Sequence, residues 1–321
     1  MPESEPKKNE RKVFVLVPSY HHAGYVERCL RSIFAQTVSP AKLLVIDDGS
    51  SDDSPAIIER VLKECPFDSE LIVRENRGLA RTLNEALANS FGEYFAYISS
   101  DDLWLPEFLN RRTKALDGRE NAVLAYGPAY VIDRDDRIFD ITSNWGRYID
   151  GNATEMLLEP VFPPSAGVVY RRSMLLDEKW NEAAALEDHD LYLRLSVRGD
   201  FAYDAEPLSA WRVHGKNTSR DAKRMLDEWL AAADRNAERL GIADEQLQKI
   251  RSRMRSNAVP MLARAGARRK AVTELIETAG GRRFRSILRD LAVVLLPAAG
   301  YSAWRYLRDS LRKRKYGKVS F

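Results

Sequence analysis

Cysteine is scarce: the 321-residue chain holds only Cys29 and Cys65. Two thiols without metal-ligand spacing make neither a disulfide framework nor a thiolate metal site, and they suit a reducing compartment. An apolar signal core is lacking too. The opening "MPESEPKKNERK" is polar, and residues 1–11 read as a disordered tail before the first strand. No apolar run reaches the ~20 residues that span a bilayer. The longest charge-free run of the C-terminal segment, Leu291 to Trp304, has 14. Two nucleotide signatures are also absent. "VPSYHHAGY" carries no glycine triplet after the first strand, which argues against a dinucleotide fold. "GKNT" at 215–218 has Ala210 where a phosphate-binding P-loop needs glycine.

What is present describes a soluble globular chain, 45% apolar and 30% charged. Its charge is unevenly spread. From Arg282 onward, eleven Lys or Arg stand against two Asp, a net of +9, so the preceding residues carry −6 of the total +3. An acidic body with a basic tail points to an anionic surface as the tail's partner.

The first hundred residues repeat one rhythm. "KVFVLV" runs into "PSYHHAG", "KLLVI" into "DDGSSDDS", "ELIVR" into "ENRGLAR", and "YFAYI" into "SSDDLW". The breaks fall about 25–30 residues apart, with amphipathic helical stretches between them. This is a βαβ rhythm, and it predicts an α/β fold with a mostly parallel sheet covered on both faces. Later strand-like runs such as "AVLAYGPAYVI" and "LSAWRVH" have less regular connections, so the second half of the sheet should be mixed. After residue 216 the pattern is helical.

Ligands of open parallel sheets bind beyond the carboxyl ends of the strands. The breaks supply Asp47, Asp48, Asn76, Arg77, Arg81, Asp101 and Asp102 at that edge. Each alone reads as a turn residue or a helix cap. Four polar clusters at successive strand ends favour one shared ligand. Asp48 suits hydrogen bonds to a base or ribose. Asp101 and Asp102 suit a hard divalent cation that bridges phosphates. Together they imply a nucleoside diphosphate with Mg2+ or Mn2+.

The segments "VPSYHHAGYVERCLRSIFAQT", "LLVIDDGSSDDS", "ENRGLARTLNEAL", "GEYFAYISSDDLWLP" and "EDHDLYLRL", in this order and spacing, resemble family-2 glycosyltransferases of the GT-A fold. The resemblance covers about residues 12 to 220. It implies a catalytic domain over 12–215, followed by a helical extension over 216–281 and a basic amphipathic tail over 282–321. It implies that Pro18, Tyr20, Asp48, Asn76, Arg81 and Ser100 hold the nucleotide. Asp101 would be the main metal ligand, with Asp102 beside it and His214 near the metal or the diphosphate. Many relatives carry Asp where this chain has Ser99.

Inverting transfer also needs a base for the acceptor hydroxyl. Glu187, Asp188 and Asp190 open a helical stretch, where acids also complement the helix dipole. The resemblance implies Asp188 as the base and Glu187 as an orienting neighbour. His21 and His22 read as surface or pocket-rim residues, His189 as exposed, and Trp104 as packing under the metal loop.

In the tail, Phe284, Ile287, Leu288, Leu291 and Leu295 share a helical face, with Arg282, Arg285 and Arg289 opposite. Tyr301, Trp304, Leu307 and Leu311 repeat the pattern beyond Pro297. Such a segment lies in the plane of an anionic membrane or packs on protein. The expectation is an enzyme at the cytoplasmic face that uses a UDP-sugar, secondarily a dTDP-sugar, and a glycan or lipid-linked glycan acceptor in cell-envelope polysaccharide synthesis. Two rivals are a sugar nucleotidyltransferase, which needs a glycine-rich, Arg-containing loop after the first strand, and an inactive sugar-nucleotide-binding scaffold. Nucleic acid is excluded as a partner by the carboxylate-lined sheet edge.

Overall fold

The computed structural model describes residues 13–159, 161–215, 221–280, 284–295, 307, 309–313 and 315–321. Four apolar runs form strands β1 (Val13–Ser19), β2 (Lys42–Asp47), β3 (Ser69–Val73) and β4 (Tyr94–Tyr97), paired in parallel in the order β4-β1-β2-β3. Helices α1 (Val26–Phe34), α2 (Ser54–Leu62) and α3 (Leu79–Ala88) connect them. Strands β1, β2 and β4 are apolar on both faces because helices cover both, while β3 at the sheet edge is only half-buried. Phe14, Leu16, Leu44, Ile46, Phe95 and Tyr97 point into one core. Their neighbours Val13, Val15, Leu43, Val45, Tyr94 and Ala96 point into the other.

The chain continues through β5 (Leu103–Trp104), α4 (Phe108–Asp117), β6 (Ala122–Tyr126), β7 (Ala129–Ile132) and β8 (Ile138–Ile141). It then forms α5 (Thr154–Leu157), β9 (Val168–Arg171), α6 (Arg172–Glu178), α7 (Glu187–Leu195), β10 (Asp200–Tyr203) and β11 (Ser209–Arg212). Strand β9 enters antiparallel between β4 and β6, giving a mixed seven-stranded sheet β10-β6-β9-β4-β1-β2-β3. A second sheet, β5-β11-β7-β8, starts where the Asp101–Asp102 turn ends. Strand β11 thereby lies against that turn, although about a hundred residues separate them in sequence.

Helices α8 (Ala222–Asn236), α9 (Asp244–Arg264), α10 (Arg268–Glu277) and α11 (Phe284–Leu295) follow. Asp221 caps α8 by accepting the Arg224 N–H at 3.0 Å. Met225 and Trp229 of α8 join the first core, while Leu226, Leu262, Leu275 and Val294 build a separate one.

Helix α11 does not bury the whole apolar face read from the sequence. Its inward stripe is Ile287, Asp290 and Val294, whereas Phe284, Leu288, Leu291 and Leu295 are exposed. Arg282, Pro297, Tyr301 and Trp304 lie outside the described residues. Residues beyond 315 return to the small sheet. Ile138 donates its N–H to the Gly317 carbonyl at 2.9 Å, and Val319 donates to the Asp136 carbonyl at 3.0 Å. Among the described residues, no helix is long and apolar enough to cross a membrane.

Candidate active site

The two adjacent acids after β4 serve different partners. Asp102 is buried and accepts the backbone N–H of Arg212 at 2.8 Å. Burial, and then the charge of Asp101, push its carboxyl well above the usual range. Asp102 was expected beside Asp101 at the metal; its Oδ1 is engaged by the β11 backbone, and both acids line the same cleft. Arg212, itself buried, donates Nε to the Asp101 carbonyl and Nη1 to the Asp133 carbonyl, both at 2.7 Å, and pairs with Asp136. It staples the acidic turn to β11 and to the β7–β8 connection.

Asp101 faces the imidazoles. His214 Nε2 lies 2.9 Å from Oδ2, and His22 Nδ1 lies 3.7 Å from Oδ1. Burial alone would raise this carboxyl, but the His214 hydrogen bond and the His22 charge bring it below its ordinary value. Ligand atoms of His22, Asp101 and His214 lie within 4.8 Å of one another, the single such group of three among the described residues. One carboxylate and two imidazoles suit a divalent transition ion such as Mn2+. His22 was expected at the rim; it belongs to this cluster.

The residues expected to hold a nucleotide lie at the ends of β1, β2, β3 and β4 and in the first turn of α3. Pro18 is buried in β1, and its carbonyl accepts the Ser100 N–H at 3.3 Å. Tyr20 is exposed and stacks on His21 at 4.1 Å between centroids. Asp48 accepts N–H bonds from Arg77 at 3.0 Å and Gly78 at 2.8 Å, and pairs with Arg74 at 3.2 Å. Its carboxylate therefore anchors the loop after β3. Gly49 makes this approach feasible: its φ is +85°, and a Cβ there would stand 2.8 Å from the Asn76 nitrogen. Asn76 is exposed, and Arg81 donates Nε to Glu182 at 3.1 Å. Ser100 is buried, with Oγ 2.8 Å from His22 Nδ1.

Across the cleft, α7 begins with Glu187 and Asp188. Asp188 accepts a short hydrogen bond from the Tyr97 hydroxyl and another from Trp180 Nε1 at 3.0 Å. Burial raises its carboxyl, and these two donors oppose the rise. Glu187 is pushed up to about 8, first by burial and then by the Asp188 charge. Asp190 points elsewhere: it pairs with Arg194 and Arg235 at 3.0 Å and joins α7 to α8. His189, expected to be exposed, is buried between helices and hydrogen-bonded to the Leu157 carbonyl at 2.8 Å. Trp104 is packing, as expected: it is fully buried, stacks on Phe108 and donates to the Ala166 carbonyl at 2.7 Å.

One cleft of about 590 Å³ is lined by Arg77, Arg81, Asp101, Asp102, Glu187 and Asp188, whereas Pro18, Tyr20, His22, Asp48, Asn76, Ser100 and His214 are not among its lining residues. Trp145 and Trp211 also line it, their rings edge-on at 5.6 Å. Trp145 is half exposed, and its Nε1 donates to Asp140 at 3.2 Å.

Solved structures share this architecture. A mannosyltransferase from Pyrobaculum calidifontis in complex with GDP-Man and Mn2+ superposes with a TM-score of 0.61, over 95% of this chain and 86% of its own, at 17% identity. S. aureus TarS 1-349 in complex with UDP-GlcNAc gives 0.56, over 96% and 94%, at 14% identity. The fold is thus of the GT-A type. The chain belongs to glycosyl transferase family 2, whose profile matches residues 14–177. An uncharacterized glycosyltransferase of Nostoc sp. is 28% identical over 227 residues, 68% of this chain and 69% of that protein. A chondroitin synthase of Escherichia coli is 27% identical over 218 residues, 68% of this chain but 31% of the synthase.

Proposed function

We propose that the protein transfers a sugar, with inversion, from a UDP-sugar, or secondarily a dTDP-sugar, to a hydroxyl of a glycan acceptor. The observation that carries this reading is the shared cleft. It brings a carboxylate flanked by two imidazoles within reach of a second, desolvated carboxylate on another element. Mn2+ or Mg2+ at Asp101 and His214 would offset the charge of the leaving diphosphate. The protein does the rest. Asp48 fixes the loop that carries Asn76 and Arg77, and with it the start of α3 that carries Arg81, beside the nucleotide. Asp188 takes the acceptor proton as the new C–O bond forms on the face of the sugar opposite the departing phosphate oxygen. Tyr97 and Trp180 hold its two oxygens, so one lone pair stays aimed at the acceptor. Trp145, half exposed on the cleft wall, offers a flat apolar face to an acceptor sugar ring.

The acceptor in this reading is lipid-linked and belongs to cell-envelope polysaccharide synthesis, with the enzyme at the inner membrane face. Support comes from exposed Phe284, Leu288, Leu291 and Leu295 on α11 and from the +9 charge of the surrounding segment. Arg312 and Lys313 are engaged by Asp140 and Asp133 at 2.6 Å, which centres the membrane face on α11.

A panel of UDP-, dTDP- and GDP-sugars with Mn2+, read by nucleoside diphosphate release and thermal shift, tests the donor class. Release and stabilisation are expected with a UDP-sugar. Stabilisation by GDP-sugars alone would overturn the choice of a uridine or thymidine nucleotide as donor.

A further inference from the structure

We propose that His22 is the third protein ligand of the cation, and that the resulting set of two imidazoles and one carboxylate selects Mn2+ over Mg2+. This rests on the metal reading above.

The loop carrying His22 is built to hold it in place. His21 sits at φ 55°, a left-handed conformation that a non-glycine residue adopts at a cost. The turn after β2 sustains that geometry through three bonds. The His21 N–H donates to Ser50 Oγ at 2.8 Å, the His22 N–H to Ser54 Oγ at 3.0 Å, and the Ala23 N–H to Asp52 at 3.2 Å. Strain held by the acidic, serine-rich turn of a neighbouring strand fixes the direction of one side chain. That side chain reaches Asp101. The ring of His214 is fixed as well: it stacks on Tyr25 at 5.3 Å with 12° between planes, and His22 stands edge-on to it at 5.6 Å. Arg212 covers the other ring of the group, its guanidinium 4.9 Å from the Tyr25 centroid. Three elements thus converge three donor atoms, and each donor has its own support. Preformed ligands with fixed orientations are what a metal centre requires.

The donor types decide the ion. Mg2+ takes oxygen ligands at near-octahedral geometry and keeps its waters. Imidazole nitrogen is accepted by first-row transition ions, Mn2+ the weakest binder among them, more readily than by Mg2+. A site that replaces oxygens with two nitrogens penalises Mg2+ most.

The test measures cation binding to the full chain in saturating UDP by calorimetry, with pulsed EPR of bound Mn2+ to count coordinated nitrogens. Wild type is expected to bind Mn2+ at least about 10-fold more tightly than Mg2+ and to show two imidazole couplings. His22→Ala should lose about 10–100-fold in Mn2+ affinity and one coupling. His22→Asp should lose the same coupling and narrow the Mn2+/Mg2+ ratio by about 10-fold. The aspartate variant keeps a polar group at the site if the alanine variant unfolds. Unchanged Mn2+ affinity and two couplings in either folded variant would overturn the role of His22 while leaving the metal reading intact. Absence of Mn2+ binding by wild type, or binding unaltered in Asp101→Ala, would overturn the metal reading itself.

Discussion

At the scale of the residue, neighbouring acids here differ in what surrounds them rather than in what they are. Glu187 and Asp188 share a helix start, but Asp188 has two donors and Glu187 is pushed up to about 8. Asp188→Asn separates basicity from shape. Trp180 can only donate, so the amide oxygen must face it, and the Tyr97 hydroxyl can turn to accept from the amide nitrogen. Turnover should fall about 10²–10⁴-fold in saturating donor and acceptor, with donor affinity nearly unchanged. Near-normal turnover there, beside an inactive Glu187→Gln, would transfer the base role to Glu187. Glu187 also leaves a mark on stability. In the unfolded chain it loses its proton near its ordinary value of 4.5; in the folded chain it keeps it to about 8. The native state binds the extra proton between those values, so stability falls as pH rises through that window and levels off above it. Glu187→Gln cannot titrate. Its melting temperature should match wild type near pH 4.5 and exceed it at pH 8.5 by the equivalent of roughly 2–4 kcal/mol. Parallel melting curves across the range would mean that the carboxyl is solvated.

At the scale of the element, strands were more legible than contacts. The apolar runs before "PSY", "DDGS", "ENRG" and "SSDD" became β1 to β4; β1, β2 and β4 were plainest, because a strand buried on both faces is nearly continuous in apolar residues. The paired acids at the end of β4 were equally plain. Their division of labour was not, because it depends on Arg212, which reaches them only through β11. His22 escaped for the same reason: its neighbour β4 adjoins β1 in space, and no local pattern records that pairing. Helix α11 shows the converse. Helical periodicity found its apolar face but not the buried Asp290, which shares the inward stripe with Ile287 and Val294 while several leucines look outward. That orientation is testable. Leu288→Glu with Leu291→Glu adds charge to an exposed face and should leave melting within about 1 kcal/mol of wild type. Flotation with anionic liposomes at moderate salt should fall several-fold in the same variant. Equal flotation of variant and parent would remove the membrane face, and loss of folding would show that α11 is buried against another surface.

At the scale of the whole molecule, the cleft is a seam between early and late parts of the chain. One wall, with Arg77, Arg81 and Asp101, comes from the segments after β3 and β4, all within about the first hundred residues. Its acidic turn is completed by Arg212 and His214, which meet Asp101 and Asp102 across 110 to 113 positions of sequence. That separation has a kinetic meaning. Closing a long loop costs entropy before any contact repays it, so distant pairings form after local ones. During refolding from denaturant, circular dichroism should recover before Mn2+-dependent UDP binding does. Arg212→Lys shortens the staple by removing its fork of donors, so it should widen that lag more than it alters the recovery of helical signal. Simultaneous recovery of both signals would mean that β11 docks with the first strands. With the expected order, a newly folded chain passes through an interval in which the parallel sheet edge exists and the completed acidic turn does not.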